Sequence, residues 1–310
     1  QIEKLYGQLE EGCRAFCDTV ELYNMRKAYE LALSSYGQSL AANGEYNIVH
    51  AIHVARIASE EIGLGTTSLI CAFLHDVVNK TGLSLDQIRE TFGDTIALLI
   101  EEYTKLSNLN TKRIEVNSVN FRNLFMTIVD DIRVILLKLA HRVYDMRCIY
   151  DLPKERQDRY VAETEHIYLP ITHRLGLYKV KTELEERLMQ YEHPDIFGQI
   201  SEKIRETDAK RKLFINEFIE PISRELVLQG FDFEIKGRPK SIHSIWEKMK
   251  RQDVAFEEVY DLFAIRIITN SKPGVEEKTD CWRIYSIVTN LYPPNPKRLR
   301  DWISTPKASG

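Results

Sequence analysis

The sequence predicts an α + α/β protein, with an all-helical domain followed by the opening elements of a mixed α/β domain. Three observations carry that expectation. Up to about Glu192 the apolar residues recur at helical spacing, and after Gly230 strand-like and helix-like segments alternate. Between them, His193-Pro194 interrupts the helical pattern. The boundaries read as residues 1–194 for the helical domain, 195–229 for a helical linker and 230–310 for an unfinished second domain.

Taken in order, HAIHVARIASEEIG (50–63) has helical spacing and closes at Gly63, the residue type that most easily ends a helix. SLICAFLHDVVNKT (68–81) is an apolar helical run with a histidine and a carboxylate side by side. In IRVILLKLAHRVYDMRCIY (132–150), Ile132, Ile135, Leu136, Leu139, Val143 and Met146 recur at three and four, which leaves Lys138, His141 and Asp145 together on another face. A charged helical stretch then runs to Gly230. FDFEIKG (231–237) alternates as a half-buried strand, and SIHSIWEKMK (241–250) returns to helical spacing. DLFAIRIIT (261–269) is a continuous apolar and β-branched run, which predicts a strand buried on both faces. CWRIYSIVTNLY (281–292) reads as a helix carrying Trp282, Tyr285, Val288 and Leu291, and a Pro-rich basic loop follows it.

With 310 residues, 44% hydrophobic and 28% charged, the chain is long enough for two cored domains of ordinary composition. A net charge of -4 excludes a protein basic throughout. Arg238, Lys240, Lys248, Lys250 and Arg251 nevertheless cluster, as do Lys297, Arg298, Arg300 and Lys307, and such clusters suit a locally bound polyanion. The five cysteines are scattered, and Cys13 and Cys17 share a helix face with no matching second pair. No apolar run reaches the roughly 20 residues of a membrane span, so no membrane partner is expected and a reducing, cytoplasmic setting is. The chain starts with Gln rather than Met and reads as a fragment of something longer.

Chemistry concentrates in two places. His50, the His75-Asp76 dyad and His141 are the makings of a buried metal site that could activate water against a phosphate ester. Asn79 and Lys80 stand where carboxylates would help to position and deprotonate that water. In the second domain, GRPKSIH turns from strand to helix with Arg238 and Lys240 at the turn and Lys248 two helical turns beyond Lys240, an arrangement suited to polyphosphate. Asp261, at the mouth of the next strand, could hold the Mg²⁺ of a nucleoside triphosphate. Taken singly, these features fit a solvated helix face and a strand-terminal Asp better.

Their order along the chain is what changes that reading. IKGRPKSIHSIWEKM, VYDLFAIRI and YPPNPKRLRDWISTPKASG resemble, in sequence, the synthetase domain of the RelA/SpoT homologue family. GEYNIVHAIHVA, FLHDVVNKT, ILLKLAHRVYDMR and ETEHIYLPITHRLGLYKVKTELEE resemble its HD-type hydrolase domain. The resemblance implies a long (p)ppGpp synthetase/hydrolase, its second domain nucleotidyltransferase-like, acting in the stringent response. It implies transfer of the β,γ-diphosphate of ATP to the 3′-hydroxyl of GDP or GTP, with ribosome or tRNA contact left to later domains of the parent.

Carried over by position, Arg238 would stack near adenine, Lys240 and Lys248 would hold the ATP phosphates, and Asp261 would bind Mg²⁺. Arg298, Arg300 and Lys307 would surround the phosphates where the two nucleotides meet. Arg-Leu-Arg-Asp (298–301) resembles the basic form of a loop that is acidic in monofunctional synthetases. The guanine-stacking tyrosine and catalytic glutamate of the family would fall beyond Gly310. In the hydrolase half the family's metal, commonly Mn²⁺, is held by a His, a His-Asp pair and a later Asp. His50, His75 and Asp76 match, and the last position is His141. The family's catalytic Glu-Asp pair falls on Asn79 and Lys80, its nucleotide-contacting Asn on Asp145, and a family Arg on Ala41. The expectation is a synthetase parent with a degenerate hydrolase domain. The alternatives are an active Mn²⁺-dependent (p)ppGpp hydrolase and a non-catalytic nucleotide-binding regulatory module.

Overall fold

The computed structural model describes residues 1–108, 130–259, 262–271, 276–297 and 299–305, without the side chains of 208–211 and 238–239. Asp261, Arg298, Lys307 and the Arg238 side chain therefore lie outside the described residues. The chain divides into two compact units, Gln1–Glu192 and His193–Gly310.

The first unit is helical. It comprises α1 (Ile2–Cys13), α2 (Thr19–Tyr36), α3 (Asn47–Ile57), α4 (Thr66–Leu74), α5 (Val77–Thr81), α6 (Leu85–Phe92) and α7 (Asp94–Ser107). After these come α8 (Ile132–Arg147), α9 (Lys154–Glu163), α10 (Leu169–Arg174) and α11 (Tyr178–Glu192). Local chemistry sets several ends. The Asp18 carboxylate accepts from the N–H groups of Val20 and Glu21 at the start of α2, and Glu21 accepts from the Asp18 N–H in return. Ser84 and Gln87 do the same for α6. Gly63 adopts a left-handed φ of 84° after the wide turn Ala58–Ile62, which stops the α3 segment where the sequence predicts.

Helix α4 is buried on nearly every side, so it must run through the middle of the bundle. It packs against α2, α3, α7 and α8, beside a stack of Tyr6 on Tyr29 with ring centres 4.0 Å apart. It ends at His75, so the chemistry-bearing residues begin inside the unit rather than on its surface. Along α8, Ile135, Leu139, Val143 and Met146 are buried as the spacing predicts, whereas Ile132 at its first turn is exposed. Lys138 and Asp145 are buried too, so the polar face of this helix also points inward.

The second unit contains α12 (Pro194–Glu206), α13 (Asp208–Leu228), β1 (Phe233–Pro239), α14 (Ile242–Gln252), β2 (Phe263–Thr269) and α15 (Glu277–Leu291). β1 and β2 pair antiparallel, from Phe233 opposite Thr269 to Pro239 opposite Phe263. Ile222 and Leu226 of α13 meet Ile284 and Ile287 of α15 in a small core under the sheet residues Phe233, Ile235 and Ile267. The stretch read as a linker thus supplies half of the buried residues of that core.

Two strand and helix readings differ from expectation. β2 alternates, with Ala264, Arg266 and Ile268 exposed, because among the described residues only one of its faces is covered. The inward face of α15 is Asp280, Ile284 and Ile287, while Trp282 and Leu291 are exposed. Both Trp282–Tyr285–Val288 and Asp280–Ile284–Ile287 have helical spacing; the packing partner decides between them.

Candidate metal and nucleotide site

Three helices bring the histidines together. His50 comes from the first turn of α3, His75 from the end of α4 and His141 from the middle of α8. One ring nitrogen of each lies within 4.8 Å of the others, and the Nε2 atoms of His50 and His141 are 2.6 Å apart. His75 Nδ1 is 2.7 Å from the Ala72 carbonyl, so it donates its proton there and turns Nε2 toward the cluster. That Nε2 is buried without a hydrogen-bond partner among the described residues. Burial lowers the pKa of all three rings, that of His50 to about 3, so they are neutral at physiological pH. Neutral imidazoles with an orphaned lone pair fit a divalent transition metal.

Asp76 bridges α4 and α5, with Oδ2 3.7 Å from His75 Nε2. A nearer partner holds that oxygen. Lys80 lies four residues on, one turn of α5 later, and its Nζ is 2.7 Å from Asp76 Oδ2. The same ammonium donates to Asn47 Oδ1 of α3 at 2.9 Å. Burial opposes ionisation of Asp76, yet His75 and the Lys80 ammonium hold its carboxyl below its ordinary value. Asn79 is exposed and, unlike the equally exposed Lys80, is not among the residues lining the adjoining cavity.

That cavity has a volume of about 310 Å³ and opens beside the histidines. Lys80, Lys138, Arg142, Arg156 and Arg159 line it, against Asp76, Asp145 and Glu163, and Ala41 contributes a small side chain. Arg142 is buried between the rings of Tyr160 and Tyr168, 4.2 and 4.6 Å from their centres, and pairs with Glu163. Lys138 donates to Ser107 and sits 3.8 Å over the Tyr103 ring; burial lowers its pKa to about 7. Burial likewise raises Asp145 to about 7. Asp145 therefore repels an anion less than a full negative charge would.

Several of these residues escaped the sequence reading. Arg156, Arg159, Tyr160 and Glu163 sit at three- and four-residue spacing on α9, which the sequence does show. Asn47, the second acceptor for Lys80, carries no signal of its own.

The second unit is less closed. The backbone of Arg238 lies in β1 opposite Ala264, and Lys240 follows at the strand-to-helix turn, its N–H donating to the Leu262 carbonyl at 3.0 Å. Ser241 caps α14 through the Ser244 N–H, and Lys248 lies buried two turns beyond Lys240. Arg300 is exposed.

Comparison with known proteins matches residues 28–178 to the HD domain and residues 237–310 to the region found in RelA / SpoT proteins. A protein of Synechocystis named as a probable guanosine-3′,5′-bis(diphosphate) 3′-pyrophosphohydrolase is 37% identical over 95% of this chain. The chain belongs to the RelA/SpoT family. The bifunctional (p)ppGpp synthase/hydrolase SpoT of Escherichia coli is 33% identical over 99% of the chain, and a GTP pyrophosphokinase of Myxococcus xanthus 32% identical over 91%. The chain spans 36%, 43% and 37% of the lengths of these three relatives, less than half in each case. His50, His75, Asp76 and His141 all fall in the HD match, and the basic strand-to-helix turn falls in the RelA/SpoT region.

Proposed function

We propose that this chain is the N-terminal part of a (p)ppGpp-metabolising enzyme whose synthetic activity belongs to the second unit, and whose helical unit keeps a nucleotide pocket without hydrolysing its ligand. The observation that carries this reading is the position of Lys80. Its ammonium lies 2.7 Å from Asp76, at the cavity wall, where the family resemblance implies a carboxylate. A cation there cannot take a proton from water and competes for the carboxylate that a metal would use. The cations lining the cavity suit a polyphosphate, and the basic turn around Lys240 and Lys248 suits the phosphates of ATP with Mg²⁺ at Asp261.

Incubating the chain with ppGpp and Mn²⁺ should give no pyrophosphate release. A longer chain with ATP, GDP and Mg²⁺ should form ppGpp, and absence of product there would sink the synthetic assignment. A working hydrolase is the second reading. It is favoured by the three clustered histidines and by the hydrolase names of the Synechocystis and Escherichia coli relatives. Steady pyrophosphate release from ppGpp by the unaltered chain would establish it.

A further inference from the structure

We infer that Lys80 and His141 together set which metal the helical unit admits: a late transition ion held by imidazoles, in place of Mn²⁺ or Mg²⁺ held by carboxylate. The inference rests on reading the three histidines as a metal site, as above. It does not depend on whether that site hydrolyses anything.

The donor set is the starting point. His50, His75 and His141 offer ring nitrogens within 4.8 Å of one another, and His75 Nε2 is oriented and without a partner. Behind His141, the Asp145 carboxyl lies 3.6 Å from Nδ1, on the far side of the ring. The oxygen donor is compromised. Asp76 Oδ2 is held by the Lys80 ammonium at 2.7 Å, and Lys80 is itself fixed by Asn47 at 2.9 Å. Two polar contacts on two helices pin the ammonium beside the carboxylate.

Hard cations such as Mg²⁺ and Mn²⁺ draw their binding energy from anionic oxygens, whereas imidazole suits Co²⁺, Ni²⁺, Cu²⁺ and Zn²⁺. With Asp76 engaged by the Lys80 ammonium, the donors left without a competing cation are three imidazole nitrogens. Such a site keeps its affinity for nitrogen-seeking ions and loses it for oxygen-seeking ones. Most sites rank Zn²⁺ above Mn²⁺ in any case, so the ranking alone tests nothing. The dependence of the ranking on Lys80 does.

The test uses the whole chain, stripped of metal with a chelator. Co²⁺ is followed by its visible absorption, and Zn²⁺ and Mn²⁺ by calorimetry. One Co²⁺ should bind per chain with nitrogen-donor bands, and His141→Ala should abolish them; bands that persist in His141→Ala come from donors other than His141 and overturn the assignment. Lys80→Met should strengthen Mn²⁺ binding by about tenfold while changing Co²⁺ and Zn²⁺ affinity by much less. Lys80→Gln, which keeps a hydrogen-bonding group toward Asn47, should do the same and guards against a folding defect in the first variant. Unchanged Mn²⁺ affinity in both variants, or binding of no ion by the wild type, refutes the inference. Hydrolysis of ppGpp by the wild type would refute only the reading of a silent hydrolase, so the two failures are separable.

Discussion

The two units place their charged residues in opposite ways. In the helical unit, His50, His75 and His141 come from three helices and converge in the interior, and their chemistry depends on single contacts such as Lys80 on Asp76. In the second unit, Lys240 and Arg300 follow the backbone along a strand-to-helix turn and a terminal segment, with Lys248 the buried exception. A converged site is easily silenced, because one misplaced charge reaches every group in it. A site strung along the chain tolerates substitution but needs its ligand to draw it together. Under the proposed reading, that contrast is how the helical unit would lose its chemistry while keeping its fold.

The largest expected effect comes from changing the converged site. Replacing Asn79→Glu, Lys80→Asp and His141→Asp together should raise Mn²⁺-dependent pyrophosphate release from ppGpp by roughly 100- to 10,000-fold, the range of a positioned acid-base group. Because Asn79 is exposed and off the cavity, the double variant Lys80→Asp, His141→Asp should carry most of that gain. A triple variant as inert as the wild type would mean that the pocket has diverged beyond these positions.

Next in size is the buried pair of Arg142 and Glu163, whose side chains are 6% and 11% exposed. Glu163→Gln leaves the guanidinium charged between Tyr160 and Tyr168 without its counter-charge. The cost should be about 3–5 kcal/mol, seen as a lower midpoint in urea unfolding followed by helical circular dichroism. A loss below about 1 kcal/mol would show that Asp145, the other carboxyl acting on Arg142, or solvent compensates.

Lys138 provides the pH test. Burial lowers its pKa from the ordinary 10.5 to about 7, so between those values the unfolded chain holds a proton that the folded chain has released. Stability should therefore rise with pH across the window from about 7 to 10.5, by at most about 1.4 kcal/mol per pH unit, and that contribution is absent below it. Tyrosines and thiols titrate in the same range, so the informative quantity is the difference from Lys138→Met. Melting curves of the two proteins should diverge as pH rises from 7, the wild type gaining on the variant. Parallel curves would place the Lys138 ammonium in contact with water.

These contrasts also mark how far the residues alone could be read. The helical unit and the Gly63 stop follow from spacing, since i, i+4 geometry is a property of the chain; the approach of His50, His75 and His141 joins three helices, and only their residue types and the family resemblance pointed to it. The partner of Lys80 at Asp76 follows as well, being one turn away. Its second acceptor, Asn47, does not, because that contact spans 33 residues and depends on how α3 packs against α5. The depth of Lys138 and Asp145 was hidden for the same reason: a polar helix face looks solvated until the helices opposite it are known. On α15 two faces have equal spacing, and only the neighbours Ile222 and Leu226 select Ile284 and Ile287. Local periodicity is legible; the choice of which face turns inward is a tertiary decision.

The smallest effect compares the two cores with the same chemical deletion. Ile48 is fully buried in the large helical core, and Ile287 is 5% exposed in a core of four buried residues. Isoleucine to valine removes one methylene, which costs about 0.5–1.5 kcal/mol depending on how far the surroundings can collapse. The large core is held by helices on every side and should relax little, so Ile48→Val belongs near the upper end. The small core has partly exposed neighbours that can close the gap, so Ile287→Val belongs near the lower end. The three tryptophans, Trp246, Trp282 and Trp302, all lie in the second unit, so their fluorescence follows its unfolding while circular dichroism is dominated by the helices of the first. Equal losses in the two variants would mean that the second core is as rigid as the first, and the contrast between a converged and an open unit would then rest on the placement of charge alone.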